Sequence, residues 1–359
     1  MSTPRLLILP DFVEENWPSM DLCAEMLLRE LSARADVSVE RFAPRYVRRF
    51  GSWRNADRLI NRLREYPRQL RQARLDDRYD AFHLVDHSYS QLLHVLPAGR
   101  TGVFCHDLDT FRCLIDPQRD RRPRWFRAMA RRILRGLQKA AVVFHSTQSV
   151  RQEIERFGLV DPRRLVQAPL GVAPQFAPRS LPPADPPFVL HVGSCIPRKR
   201  IDVLLTVFES LAGRFPELSL MQVGGAWSES QRHHLRRIDP NRVRQVRRLS
   251  RDELAALYSS AALVLLPSES EGFGLPLIEA IACGATVLVS DLPVLREVAA
   301  DAAVYAPVGD PDAWTTAATS LLQGRGAPPE AAKRQRAARY SWREHAARVA
   351  LAYQHLREG

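Results

Sequence analysis

The chain has 359 residues, 45% of them hydrophobic, enough for two cores rather than one. No apolar run approaches the roughly 20 residues that a helical membrane span needs, and Met1–Pro10 is too short and too weakly charged for a secretory leader. A net charge of +12, nearly all of it arginine since lysine occurs only at Lys139, Lys199 and Lys333, predicts attraction to phosphates of a nucleotide, a nucleic acid or an anionic lipid.

The five cysteines (Cys23, Cys105, Cys113, Cys195, Cys283) are scattered, odd in number and without metal-type spacing, so reduced thiols in a cytoplasmic protein are expected. Residues 5–9 read as a first strand and Val37–Phe42 as a second, with helical periodicity from Met20 to Leu31 between them. The loop after the first strand, Asp11–Met20, holds no glycine. From Arg45 to Arg78 arginines alternate with apolar residues (Tyr46, Val47, Phe50, Trp53, Leu59, Ile60, Leu63), which predicts one or two basic helices. Three readings stand for that charge: a solvated helical face, a surface for an acidic acceptor or membrane, and nucleic-acid binding. The last lacks a recognised module or aromatic platform, and no nucleic-acid partner is expected.

Ala81–Val85 and Thr101–Cys105 are further strands, ending in the polar clusters Asp86-His87-Ser88-Tyr89 and His106-Asp107. Open α/β sheets bind ligands at the carboxyl ends of their strands, so these side chains are placed to face a ligand crevice. Arg124–Lys139 is a basic amphipathic helix with Trp125, Phe126, Met129, Ile133, Leu134 and Leu137 on its apolar side. Such a helix either faces a core or lies on an anionic membrane. Ala141–His145 is a strand, and Ser146–Ser149 caps the helix after it.

A turn-rich stretch from Pro169 through Pro187 predicts the linker between domains. Beyond it, the strand Phe188–Val192 runs into Gly193-Ser194-Cys195-Ile196-Pro197-Arg198-Lys199-Arg200 and a helix with Ile201, Leu204, Leu205 and Phe208. A glycine turn followed by Arg198 and Lys199 before a helix is a phosphate grip of backbone amides and fixed positive charge. Leu218–Gly225 repeats the strand and glycine turn. Val243–Leu249 precedes a helix opened by the capping box Ser250-Arg251-Asp252-Glu253.

The strand Ala262–Leu266 leads into Pro267-Ser268-Glu269-Ser270-Glu271-Gly272-Phe273-Gly274-Leu275-Pro276, with Pro276 expected at the first helical position. Gly272 and Gly274 allow close backbone approach to a ligand, and the helix N-terminus offers free amides to an anion. Glu271 sits in the loop and Glu279 a turn into the helix. Ala285–Val289 is the next strand, and Ser341-Trp342 opens a last helix running through Leu356.

Glu271-Gly272-Phe273-Gly274-Leu275-Pro276 with Glu279 resembles the E-x7-E signature of retaining family 4 glycosyltransferases of the GT-B fold. The resemblance implies an α/β architecture of two Rossmann-like domains facing a central cleft. Its segments are 1–175 for the acceptor, 176–340 for the nucleotide-sugar donor, and a helix at 341–359 crossing back to the first domain. It implies transfer of a hexose, mannose or glucose, from a nucleoside diphosphate sugar to a glycan or lipid-linked acceptor, with retention at the anomeric carbon. Glu271 and His106 would act at the sugar. Gly193, Arg198 and Lys199 would hold the diphosphate, with Phe273, Gly274 and Leu275 in the donor loop, Val246 near the base and Glu279 on the ribose hydroxyls. Protein cations would do this work, so no metal and no cofactor is expected. Where many relatives carry arginine after the glycine, this chain has Ser194, and the paired glycines that the family often carries after the first strand are absent. The alternatives are a nucleotide-sugar epimerase on the same fold and a non-catalytic nucleotide-sugar-binding protein. A peripheral place on the inner face of a membrane is a further expectation.

Overall fold

The computed structural model describes residues 3–49, 51, 54–75, 77–182 and 184–358, so the expectations resting on Met1, Ser2, Phe50, Trp53 and Pro183 lie outside the described residues. The chain forms two compact units, one of Met1–Gly171 with Ser341–Gly359 and one of Val172–Tyr340.

The first unit is built on six parallel strands: β1 (Arg5–Leu9), β2 (Ser38–Arg41), β3 (Ala81–Leu84), β4 (Thr101–Cys105), β5 (Val142–His145) and β6 (Leu165–Gln167). Their order is β2-β1-β3-β4-β5-β6. β3, β4 and β5 are buried along their whole length, which explains why they read as apolar runs rather than alternating patterns. The helix Pro18–Ser32 starts two residues earlier than expected, because proline suits a first helical position, where no amide bond is lost.

The basic segment is less helical than its periodicity suggests. Helices Arg54–Ile60 and Tyr66–Ala73 flank a π-helical turn, Asn61–Glu65. Residues 45–49 are not helical. The Gln69 amide pairs with both backbone groups of Arg45, and the buried Asn61 amide does the same for Val47, so the backbone's needs are met by side chains instead of a helical ladder.

The helix Trp342–Glu358 packs in this first unit. Tyr353 Oη donates to the Phe82 carbonyl at 2.9 Å, and His345 Nδ1 lies 3.1 Å from the Ala168 carbonyl. A Cβ on Gly102 would sit 2.3 Å from the Tyr353 hydroxyl, so the tyrosine occupies space that only glycine leaves.

The second unit repeats the plan with β7 (Phe188–Gly193), β8 (Ser219–Gly224), β9 (Val243–Val246), β10 (Leu263–Leu266), β11 (Val287–Ser290) and β12 (Val304–Ala306). All pairs are parallel, in the order β12-β11-β10-β7-β8-β9. Val189, Leu205, Phe208, Leu265 and Trp314 belong to its core. The capping box at Ser250 forms in full. The proline-rich stretch after Val172 packs onto this unit, with Phe176 edge-on to Tyr258 at 6.0 Å.

In each sheet the connection reverses direction once, between β1 and β3 in the first unit and between β7 and β10 in the second. Open α/β sheets bind ligands outside the carboxyl ends of the strands at such a switch point. Topology alone thereby fixes one such crevice in each unit.

Candidate functional site

In the second unit two loops meet at the switch point. The loop after β7 carries Gly193, at φ +153, and a 3-10 turn Pro197–Lys199. The loop after β10 is Pro267–Gly274. They are tied together: the Glu269 amide donates to the Arg198 carbonyl at 2.8 Å, and the Arg198 guanidinium donates to the Ser270 carbonyl at 3.1 Å. Lys199, only 8% exposed, donates to Glu271 Oε1 at 2.5 Å, and the Ser268 hydroxyl donates to the same oxygen at 2.7 Å. Arg198 lies 3.6 Å from the other oxygen. Burial pushes the Glu271 carboxyl up, but Lys199, Arg198 and the two hydrogen bonds outweigh it and hold the group below the ordinary glutamate value. Glu271 is a carboxylate.

Gly274, at φ +86, precedes the helix Leu275–Ala282, in which Pro276 takes the second position rather than the first. A Cβ on Gly274 would meet Leu295 at 2.9 Å. Phe273 is buried, its ring edge-on to Tyr340 at 5.3 Å, so this residue packs with its ring and leaves only its backbone for a ligand. Glu279, four residues beyond Leu275, is buried beside the Tyr258 hydroxyl at 3.5 Å. Burial pushes its carboxyl up to about 7, against weaker pulls from Tyr258 and Arg251. The two glutamates of the motif therefore differ in charge. One is ionised and paired; the other is near half-protonated at neutral pH.

The glycine turns after β7 and β8 are pressed backbone to backbone. A Cβ on Gly224, at φ +124, would lie 2.3 Å from the Gly193 carbonyl, and one on Gly225 2.7 Å from the Cys195 amide. Val246 ends β9, half-buried. Thus Gly193, Arg198, Lys199, Glu271, Phe273, Gly274, Leu275 and Glu279 all belong to the loops and helix start around one crevice.

The crevice of the first unit is made differently. Asp11 follows β1 and Asp86 follows β3, both buried. Burial, then the charge of Asp86, raises the Asp11 carboxyl well above the ordinary value, and a hydrogen bond between the two side chains adds to it. His87 Nδ1 lies 3.2 Å from Asp86 and its Nε2 3.9 Å from Asp107; although burial works against it, these carboxylates raise the imidazole. His106, at the end of β4, sits 4.5 Å over the Phe104 ring with Nε2 2.8 Å from the Val85 carbonyl. That contact needs the proton on Nε2, and burial lowers the imidazole, so its Nδ1 is left as an acceptor. In place of paired glycines, the turn after β1 is fixed by Glu15, which pairs with Arg62 and, at 3.3 Å, with Arg58. Arg62 in turn lies 4.3 Å over the Tyr89 ring.

The sequence singled out His106, but Asp11 only by the missing glycines around it. It gave His191 and Gln222 no role, although a polar residue inside an otherwise apolar strand is a visible signal. Among the described residues, no group of three His, Cys, Asp or Glu side chains is placed to hold a metal ion.

Two parallel Rossmann-like sheets, each with a crevice at its switch point, define the GT-B class of fold. Sucrose-phosphate synthase from Thermosynechococcus elongatus matches 99% of this chain and 99% of its own with TM-score 0.80 at 19% identity. Anabaena HepE, solved with UDP and glucose, matches 98% and 100% with TM-score 0.74 at 15% identity. Residues 173–342 match the family model described as glycosyl transferases group 1. Among curated relatives, O-antigen chain mannosyltransferase B of Escherichia coli is 29% identical over 61% of this chain and 60% of its own. O-antigen chain mannosyltransferase RfbU of Salmonella typhimurium is 40% identical over 23% of this chain and 24% of its own. D-inositol 3-phosphate glycosyltransferase 2 of Catenulispora acidiphila is 33% identical over 48% and 44%. The chain thus spans under two thirds of the length of each of these relatives.

Proposed function

We propose that this protein transfers a hexose, mannose or glucose, from a nucleoside diphosphate sugar to a glycan or lipid-linked acceptor hydroxyl, with retention and without a metal. One observation carries the reading: Lys199, held over the Gly193 turn, already pairs with an anionic oxygen, that of Glu271, at 2.5 Å. A diphosphate offers the same chemistry with more charge. In the reaction the bond from the anomeric carbon to the diphosphate oxygen breaks, and its electron pair leaves with the diphosphate. The acceptor oxygen bonds to the same carbon from the same face, and its proton passes to the departing oxygen. Lys199, Arg198, the Gly193 turn and the amides at Leu275 stabilise the charge that builds there. Glu271, released from Lys199, accepts hydrogen bonds from the sugar; Glu279 accepts them from the ribose, and Val246 lies near the base. In the first unit, His106 offers an acceptor nitrogen to a sugar hydroxyl. The relatives' names favour a mannosyl donor.

The test is a panel of nucleoside diphosphate hexoses with product followed by proton NMR and a chelator present throughout. Retained anomeric configuration and undiminished turnover are expected. Inversion overturns retention, and loss with the chelator overturns metal independence. Binding of GDP or UDP without turnover of any donor would leave the non-catalytic alternative.

The same reading places the protein in the cytoplasm, peripherally on the inner face of an anionic membrane. None of the described helices is long and apolar enough to cross one. The helix Arg124–Leu137 buries Ala130, Ile133, Gly136 and Leu137 but leaves Trp125 60% exposed among arginines. Each basic residue near an anionic surface adds about 1 kcal/mol, screened by salt. Sedimentation with anionic vesicles at low salt, and not with neutral ones, is expected; equal partitioning would remove this part of the reading.

A further inference from the structure

A row of polar side chains crosses the second sheet, two residues before the glycines that end β7 and β8. His191 on β7 pairs in register with Gln222 on β8, which pairs with Gln245 on β9. The row is connected. Gln222 Nε2 donates to the Gly193 carbonyl at 2.8 Å, while Gln245 Nε2 reaches both Gln222 Oε1 and the Gly225 carbonyl, each at 2.8 Å. The two amides thereby fix the turns whose glycines press against one another. His191 is the exception. It is 1% exposed, and neither ring nitrogen has a hydrogen-bond partner.

Its position shows where a partner belongs. Side chains alternate along a strand, so His191 shares its face with Gly193 and with Val189 of the helix-covered core. Apart from its own chain neighbours, the point where a Gly193 Cβ would stand is rimmed most closely by His191 Cε1 at 3.5 Å, His191 Nε2 at 3.8 Å and the Lys199 Cε at 3.8 Å. An oxygen resting on the Gly193 backbone beside Lys199 is therefore also beside the imidazole edge. Burial and the neighbouring Lys199 lower the imidazole to about 3, so the ring is neutral and one of its nitrogens carries a proton to give. A buried donor with no acceptor is costly, and natural sequences rarely keep one unused.

From this geometry we infer that His191 is a further donor-contact residue, its N–H hydrogen-bonding a diphosphate oxygen of the nucleotide sugar over Gly193. This rests on the donor-site reading above. The lysine supplies charge to that oxygen, and the imidazole supplies direction without adding a second buried cation.

Calorimetric titration of the full-length protein with GDP, UDP and the corresponding nucleosides tests it, using His191→Leu, His191→Gln and, as reference, Lys199→Ala. His191→Leu should weaken nucleoside diphosphate affinity about tenfold, as expected for one neutral bond, and leave nucleoside affinity unchanged. His191→Gln, which restores an N–H, should recover most of the loss. The thermal midpoint of His191→Leu without ligand should hold or rise, because the imidazole has no protein partner to lose. Wild-type diphosphate affinity in His191→Leu, or an equal loss for nucleoside and diphosphate, overturns the inference while the Lys199→Ala loss stands. If Lys199→Ala also binds as wild type, it is the donor-site reading itself that falls.

Discussion

The crevices of the two units lie at equivalent points of equivalent sheets, yet they handle charge in opposite ways. In the second unit backbone does most of the work, through Gly193, Gly224 and Gly274, and the Glu271 carboxylate is matched by Lys199 and Arg198. In the first, Asp11, Asp86, His87, His106 and Asp107 crowd together with fewer counter-charges than carboxyls, and Asp11 is forced toward its neutral form. Amides and a lysine suit a phosphate, whose oxygens only accept. Carboxyls and imidazoles both donate and accept, which suits sugar hydroxyls. One topology thus supports two chemistries, set by what the loops contribute.

The contrast is broken hardest at Glu271. Glu271→Gln keeps the shape and removes the charge. Turnover should fall a hundredfold or more, about 2.7 kcal/mol of barrier, while GDP or UDP affinity holds or rises because Lys199 is relieved of its partner. Turnover within tenfold of wild type would remove Glu271 from the chemistry. The unliganded variant should also melt lower near pH 7. A carboxyl whose folded value is depressed contributes stability above the ordinary glutamate range, and that contribution disappears with the charge.

Glu279 gives the second effect, with the opposite sign. Its folded value of about 7 stands above the ordinary 4.5, so the folded chain holds a proton that the unfolded chain has released. Stability of the unliganded protein should decline by about 3 kcal/mol as pH rises from about 4.5 to 7, then level off. Ribose hydroxyls favour the ionised carboxylate. Nucleoside diphosphate affinity should therefore climb up to tenfold per pH unit below 7 and flatten above it. Glu279→Gln should abolish both slopes; a slope that survives belongs to another group.

The smallest effect sharpens the first unit. Asp11→Asn removes a carboxyl that the fold already pushes toward its neutral form, so it should raise stability near pH 7.5 by about 1 kcal/mol, the net worth of a hydrogen bond that the amide N–H donates to Asp86 without taking up a proton. The gain should shrink as pH falls, since the wild-type carboxyl is then protonated anyway. A lower melting point at pH 7.5 would mean that Asp11 is held as a carboxylate. Asp11→Asn and Glu271→Gln thus make the same chemical change with opposite expected signs.

Much of this was legible in the sequence, because strands buried on both faces read as apolar runs and glycine turns mark where they end. β6 and β12, at three residues each, are too short to leave a pattern. The loops after β7 and β10 were also legible, as each is a local motif. Their joining was not: Lys199 and Glu271 are 72 residues apart, and only the adjacency of β7 and β10 brings them together. Asp11 was hidden for a related reason. Its unusual state comes from burial and then from Asp86, across the β1–β3 pairing, and no local pattern carries that.

The Tyr353 hydroxyl that fills the hollow over Gly102 bears on how the protein is made. The ribosome delivers β4 some 250 residues before the helix that closes over it, so a nascent first sheet waits with that hollow open while the whole second unit is synthesised. Multidomain chains ordinarily mature from the amino end during synthesis. Here the order is nested: the second unit is complete once Tyr340 has emerged, and the half begun first is finished last.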